Sequence, residues 1–121
     1  MLDVREKEII LHIIDHCERI IENVKEIDFE TYERDRNIQD IILFNIFQIG
    51  ELSKSLSNEF IQKYNAVPWK NIKGMRDVIG HGYQSINSQR IYDTAKKDIY
   101  YLYDYCKSLE ENWWIKIFRL L

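Results

Sequence analysis

Arg76, His81 and Tyr83 stand in the order R-x-x-x-x-H-x-Y within a chain of 121 residues. Histidine is the side chain that exchanges a proton near neutral pH without help from its surroundings. Arginine offers a permanent charge and a planar donor fork that matches phosphate oxygens. With neither a P-loop nor a metal-ligand motif beside them, the pair suits metal-independent cleavage of RNA. His81 would take the proton from a ribose 2′-hydroxyl or deliver one to the leaving 5′-oxygen. Arg76 would stabilise the extra negative charge of a phosphorane-like transition state. One such histidine per chain is short of an acid and a base, and a two-fold dimer would supply the second. Tyr83, near the same phosphate, could bind substrate or take a modification that blocks it. On spacing alone, however, a structural arginine and a satisfied helix-end histidine are the favoured reading.

The segment that must position these residues runs from Val67 to Tyr83, VPWKNIKGMRDVIGHGY, and holds the only proline. A helix opening at Pro68, where a missing N–H costs nothing, sets Trp69, Ile72, Arg76, Ile79 and Tyr83 along one seam. Arg76 then lies on or beside an apolar stripe, where an unpaired charge is too costly to keep. Glu51, next to Leu52 in an apolar setting, is the natural partner, with a rim carboxylate in water as the equal alternative. Residues five apart on a regular helix point roughly 140° away from each other. Arg76 and His81 therefore converge only if the helix ends or distorts near Gly80, or if they meet across a subunit interface. Gly80 and Gly82 flank the histidine and either can adopt φ > 0. Lys70 and Lys73, with Lys63 before them, could add a modest basic patch for an RNA backbone, although helix lysines are usually just a solvated face.

The remaining sequence reads as helix. Hydrophobic residues make up 45% and charged residues 31%, with four glycines and one proline, and no period-2 alternation argues for a sheet. Helix 1 is expected from about Asp3 to Glu26, with Asp3 and Glu6 as a capping box. DFETY (residues 28–32) reads as a turn or a single helical turn. A helix from Asp35 to about Leu56 or Phe60 is apolar over most of its girth and so must be buried on more than one side, or form a dimer interface. Gly50 permits a close helix approach there. Asn87 is the expected cap of the last helix, with Ile86 and Ile91 as a hydrophobic staple. The expected architecture is all-α: an up-and-down bundle of four long helices plus short helical segments, one domain over 1–121, with a Trp-rich extension at about 112–121.

Net charge is −3, which argues against a protein coated in basic surface for nucleic acid and leaves room for a local cationic cleft. His12 and His16 are four apart, a spacing that can clamp a metal, but no third ligand is evident and a solvated face is the better reading, so no metal or cofactor is expected. Cys17 and Cys106 fall on apolar positions and read as buried thiols in a reducing compartment. No apolar run reaches the roughly 20 residues that span a bilayer and the N-terminus is charged, so a cytoplasmic protein with no membrane or DNA partner is expected.

Three stretches in register resemble a known family: I-x-x-I-G-E-L at Ile46–Leu52, V-P-W-K-x-I-x-G-M-R-D at Val67–Asp77, and H-x-Y at His81–Tyr83. The chain resembles the HepT-like family, the HEPN-domain ribonuclease toxins of HepT/MntA toxin–antitoxin systems, from helix 1 to about Leu109. The resemblance implies a HEPN-type helical bundle that forms a homodimer, with the motifs of both protomers in a shared cleft. It implies metal-independent RNA cleavage by Arg76 and His81. It also implies neutralisation by an MntA-like nucleotidyltransferase antitoxin, encoded alongside in bacteria or archaea, that transfers AMP to Tyr83, with a higher oligomer in the complex. The family commonly has Asn after the motif arginine, and here that residue is Asp77. A carboxylate four residues before His81 is expected to hold the histidine charged and to repel phosphate, favouring an acid role. A catalytically silent HEPN domain that binds a nucleotidyltransferase is the alternative.

Overall fold

The computed structural model describes residues 3–82 and 86–120. Seven α-helices follow one another: α1 (Val4–Val24), α2 (Phe29–Arg34), α3 (Arg36–Lys54), α4 (Asn58–Lys63), α5 (Trp69–His81), α6 (Ser88–Asp93) and α7 (Ile99–Leu120), with a π-helical turn, Thr94–Asp98, joining the last two. Among the described residues there is no strand. The expected four long helices are α1, α3, α5 and the α6–π–α7 rod, and α2 and α4 are the short segments between them.

Side-chain caps start these helices where the sequence offers an oxygen. Asp28 and Asp35 accept from the backbone N–H groups of Thr31 and Ile38, Ser57 from Phe60, and Asn87 from Arg90. Ser57 is why the second long helix stops early: its hydroxyl starts α4 three residues after α3 ends at Lys54. Asp3 caps α1 through Arg5 N–H. The expected capping box is not completed, because the Glu6 carboxylate instead accepts from Ser57 N–H at 3.4 Å.

Isoleucines at helical spacing bring α1, α3 and α7 together. Ile10, Ile13 and Ile20 of α1, Ile42 and Ile49 of α3 and Leu102 of α7 form one core, sealed by Cys17 and Cys106. Burial pushes both thiols up, Cys106 to about 12 and Cys17 further, so neither is a thiolate at neutral pH. Two aromatic clusters close the ends. Phe29, Tyr32 and Tyr92 meet around the α2–α6 contact, where the Tyr92 hydroxyl donates to the Ile27 carbonyl at 2.7 Å. Phe60, Tyr64 and Trp69 pin the start of α5, and Trp69 Nε1 donates to the Tyr64 carbonyl at 2.9 Å.

α3 is buried on two sides, against α1 and against α5, as its apolar girth requires. Its outer face still exposes Ile41 and Phe44, the latter at 56%. The end of α7 is also exposed at Trp114, Ile115, Phe118 and Leu120, while Trp113 is half-buried beneath the Lys7 ammonium. Among the described residues no helix is long and apolar enough to cross a membrane.

α3 and α5 approach closely at Gly50. A Cβ at Gly50 would lie 2.2 Å from Arg76 Cβ and 2.9 Å from Arg76 Cγ. The obstructing atoms sit at the root of the arginine side chain and cannot swing away, so any larger residue must push α5 outward. Gly50→Ala is expected to destabilise the protein by about 1–3 kcal/mol through this overpacking, read as a Tm several degrees lower. An unchanged Tm would contradict the contact.

Candidate active site

α5 is regular from Trp69 to His81, with Trp69 and Ile79 buried and Ile72 and Arg76 half-buried against α3. Pro68 caps the helix from outside, its carbonyl accepting from Asn71 and Ile72 N–H. The expected distortion at Gly80 is not present. Gly80 is helical, Gly82 has the extended φ of 178°, and none of the described glycines takes positive φ. Arg76 and His81 therefore keep the roughly 140° divergence of a regular helix. Within one protomer they face different ways. Tyr83 lies outside the described residues.

Arg76 is held on three sides. Its Nε donates to Glu51 Oε1, which settles the even choice for Glu51 in favour of pairing. Its Nη1 donates to Asp77 Oδ1 at 3.1 Å, and its guanidinium carbon lies 4.8 Å from the centre of the Phe47 ring. The contact with Glu51, and then that with Asp77, raises the arginine's pKa and keeps it fully charged. Its side chain is 24% exposed, enough for the free Nη edge to meet a ligand.

Asp77 does not do what its position predicts. Its carboxylate turns away from His81 and lies 3.4 Å from Lys54 Nζ as well as 3.1 Å from Arg76 Nη1. A helical side chain four residues before another need not reach it when two cations stand closer. The Lys54 hydrogen bond, and then Arg76, hold the Asp77 carboxyl below its usual value. Its small contribution to stability is thus present above the ordinary carboxylate range and fades as pH falls through the lowered value. What His81 meets is the backbone of Asp77: Nδ1 donates to the Asp77 carbonyl at 2.9 Å. A carbonyl can only accept, so Nδ1 carries the proton and the neutral ring leaves Nε2 as an exposed lone pair. This supports a base as well as an acid.

Lys54 was not singled out by the sequence, although it stands three residues after Glu51 and lies 3.7 Å from its carboxylate. Phe47, beneath the guanidinium, escaped notice for the same reason: nothing in its local pattern separates it from core. Lys70 is exposed and Lys73 half-buried, and neither makes an ion pair among the described residues. Lys63 instead lies over the Tyr64 ring.

The His12–His16 pair is not simply a solvated face. His16 Nδ1 donates to Asn45 Oδ1 at 2.7 Å, and Asn45, 3% exposed, donates in turn to the Ile41 carbonyl. That chain is a part-buried polar tie between α1 and α3. Among the described residues no group of three or more His, Cys, Asp or Glu could hold a metal. A surface depression lined by Glu30, Arg34 and Arg36 sits at the α2–α3 corner, with no motif residue in its lining.

The sequence matches the family described as ribonuclease HepT-like over residues 13–109. The chain belongs to that family. Membership places it among ribonucleases, with α3, α5, Arg76 and His81 inside the matched stretch and the last eleven residues of α7 outside it. A candidate RNase of Caldanaerobacter subterraneus subsp. tengcongensis is 41% identical over 88 residues, 73% of this chain and 79% of that protein. A protein of Thermococcus cleftensis named as a probable ribonuclease HepT is 31% identical over 93 residues, 77% of this chain and 84% of its own. A further candidate RNase, from Methanocaldococcus jannaschii, is 33% identical over 81 residues, 67% of each chain. No solved structure matches the chain.

The His81 contact makes a direct prediction for this HepT-like chain. Nitrogen NMR of the His81 ring above its titration is expected to show a protonated Nδ1 and a bare Nε2, the less common tautomer in water. A protonated Nε2 would contradict the assignment.

Proposed function

We propose that the chain is a toxin endoribonuclease that cleaves RNA without a metal, working as a homodimer in which Arg76 and His81 of both protomers share one cleft. The observation that carries this reading is the pairing of a bare, exposed Nε2 on His81 with a guanidinium preset by Glu51 on the same helix. Nε2 of one His81 takes the 2′-hydroxyl proton as the 2′-oxygen attacks phosphorus. The 5′-oxygen leaves with a proton from the other His81, and the product carries a 2′,3′-cyclic phosphate. Arg76 meets the charge that builds on the non-bridging oxygens. Glu51 orients Arg76, and Lys70 and Lys73 lie on the same helix for the flanking RNA backbone.

The dimer draws support from two features. Arg76 and His81 diverge within a protomer, so a shared site has to combine two copies. On α3, Ile41 and Phe44 are exposed at three-residue spacing before Phe47, which puts an apolar strip beside Arg76 where a second copy would pack. In this reading the chain acts as one domain, with residues 112–121 as an extension. Its partner is an MntA-like nucleotidyltransferase, which silences it by AMP transfer: the Tyr83 phenol oxygen attacks the α-phosphorus of ATP and diphosphate leaves. The new phosphodiester would occupy the cleft and exclude substrate.

A binding partner of a nucleotidyltransferase without cleavage of its own is the second reading, favoured by the Asp77 carboxylate that already sits on Arg76. Cleavage of a labelled RNA decides between them. Wild-type protein with chelator present is expected to give cyclic-phosphate ends, and His81→Ala to lose about 10²–10⁴-fold in rate. Equal rates for the two would remove the catalytic reading. Intact mass after co-expression with the adjacent nucleotidyltransferase tests the control: an AMP-sized adduct, absent in Tyr83→Phe, is expected.

A further inference from the structure

Lys54 and Asp77 have no role in the reaction as derived above, yet both stand in contact with the arginine's own network. One oxygen atom, Asp77 Oδ1, is shared between two cations, Lys54 Nζ at 3.4 Å and Arg76 Nη1 at 3.1 Å. Glu51 engages the same two cations from the other side, through Arg76 Nε and at 3.7 Å from Lys54 Nζ. The four charges therefore balance, and the anion at the outer, more exposed corner is Asp77, at 54%.

We infer that Lys54 and Arg76 form a two-cation phosphate subsite, and that the Asp77 carboxylate is its resident placeholder until RNA arrives. The inference rests on the RNA reading above and adds a binding residue to it. A phosphodiester carries one negative charge, as the carboxylate does, so the exchange leaves the cluster's charge balance unchanged. A phosphate oxygen at the position of Oδ1 would meet both cations, and a second would reach the free Nη edge of Arg76. Glu51 stays in place on Nε and keeps the guanidinium aimed. The displaced Asp77 returns to water at low cost, since ion pairs this exposed are weak. Asp77 then sets how tightly RNA binds by competing with it, without touching His81 through its carboxylate.

Two arms test this with the full chain. In the first, binding of a 2′-O-methyl RNA oligonucleotide, which cannot be cleaved, is followed by fluorescence anisotropy over a range of salt. Lys54→Ala is expected to weaken binding about five-fold or more and to flatten the salt slope by about 0.7, the share of one phosphate on a single strand. Lys54→Arg is expected to restore both, and Asp77→Asn to bind about three-fold tighter than wild type. In the second arm, cleavage is expected to fall in Lys54→Ala and to return in Lys54→Arg, which a general loss of structure would not give. Wild-type affinity and slope in Lys54→Ala overturn the subsite, as does a wild type that fails to bind the probe. Binding no tighter in Asp77→Asn overturns the placeholder. Absence of cleavage by wild type would sink the catalytic reading alone, because the anisotropy arm decides the subsite by itself.

Discussion

The approach of α3 and α5 at Gly50 is the constraint on which the candidate site depends. Removing one side chain lets the root of Arg76 pass against the α3 backbone, closer than any Cβ would allow. That fixes the arginine's origin, and the neighbours of Gly50 along α3, together with Asp77 on α5, then shape the rest of its side chain. Phe47, three residues before, lies under the guanidinium; Glu51, the next residue, takes Nε; Lys54, four residues on, answers Glu51 and Asp77. About two turns of a rigid, core-packed helix thus preorganise one cation. The closeness costs helix propensity at Gly50, offset by what α3 buries against α1 and α5.

The electrostatics follow from that frame. A half-buried arginine has to be paired, and here two carboxylates and a lysine make a set with no net charge. Such a set needs no ligand to balance its charge. His81 is arranged by a different device. Its ring is tied to the carbonyl four residues back on α5. The tie fixes which nitrogen is bare and leaves the imidazole directed at solvent, away from Arg76.

Much of this was legible in the sequence. The 3/4 spacing of isoleucines gave the long helices, and Asp35 and Asn87 are oxygens whose capping geometry is local; Asp28 and Ser57, which cap the short α2 and α4, were not singled out. The cost of an unpaired charge on an apolar seam raised Glu51 as a partner for Arg76, but only as the equal of a rim carboxylate in water. What the sequence hid depends on three dimensions. Asp77 was aimed at His81 by spacing, but Lys54, 23 residues earlier, outbids it. His16 read as solvated because nothing local shows that Asn45, 29 residues on, is buried opposite it. Glycines flanking His81 suggested a broken helix end, yet glycine only permits such a conformation, and the α5 hydrogen bonds continue through Gly80. The motif stretches of the HepT-like family pointed to Arg76 and His81 as a unit, and the regular helix shows that the unit is not assembled inside one protomer.

The central claim is that the two His81 rings of a dimer work in one cleft. Refolding wild type together with an equal amount of His81→Ala tests it directly. Random pairing leaves both rings in about a quarter of the dimers, so RNA cleavage is expected at about a quarter of the wild-type rate for the same total protein. Cleavage at about half of the wild-type rate, with mixed dimers confirmed by mass, would mean that each protomer acts alone and would contradict the account.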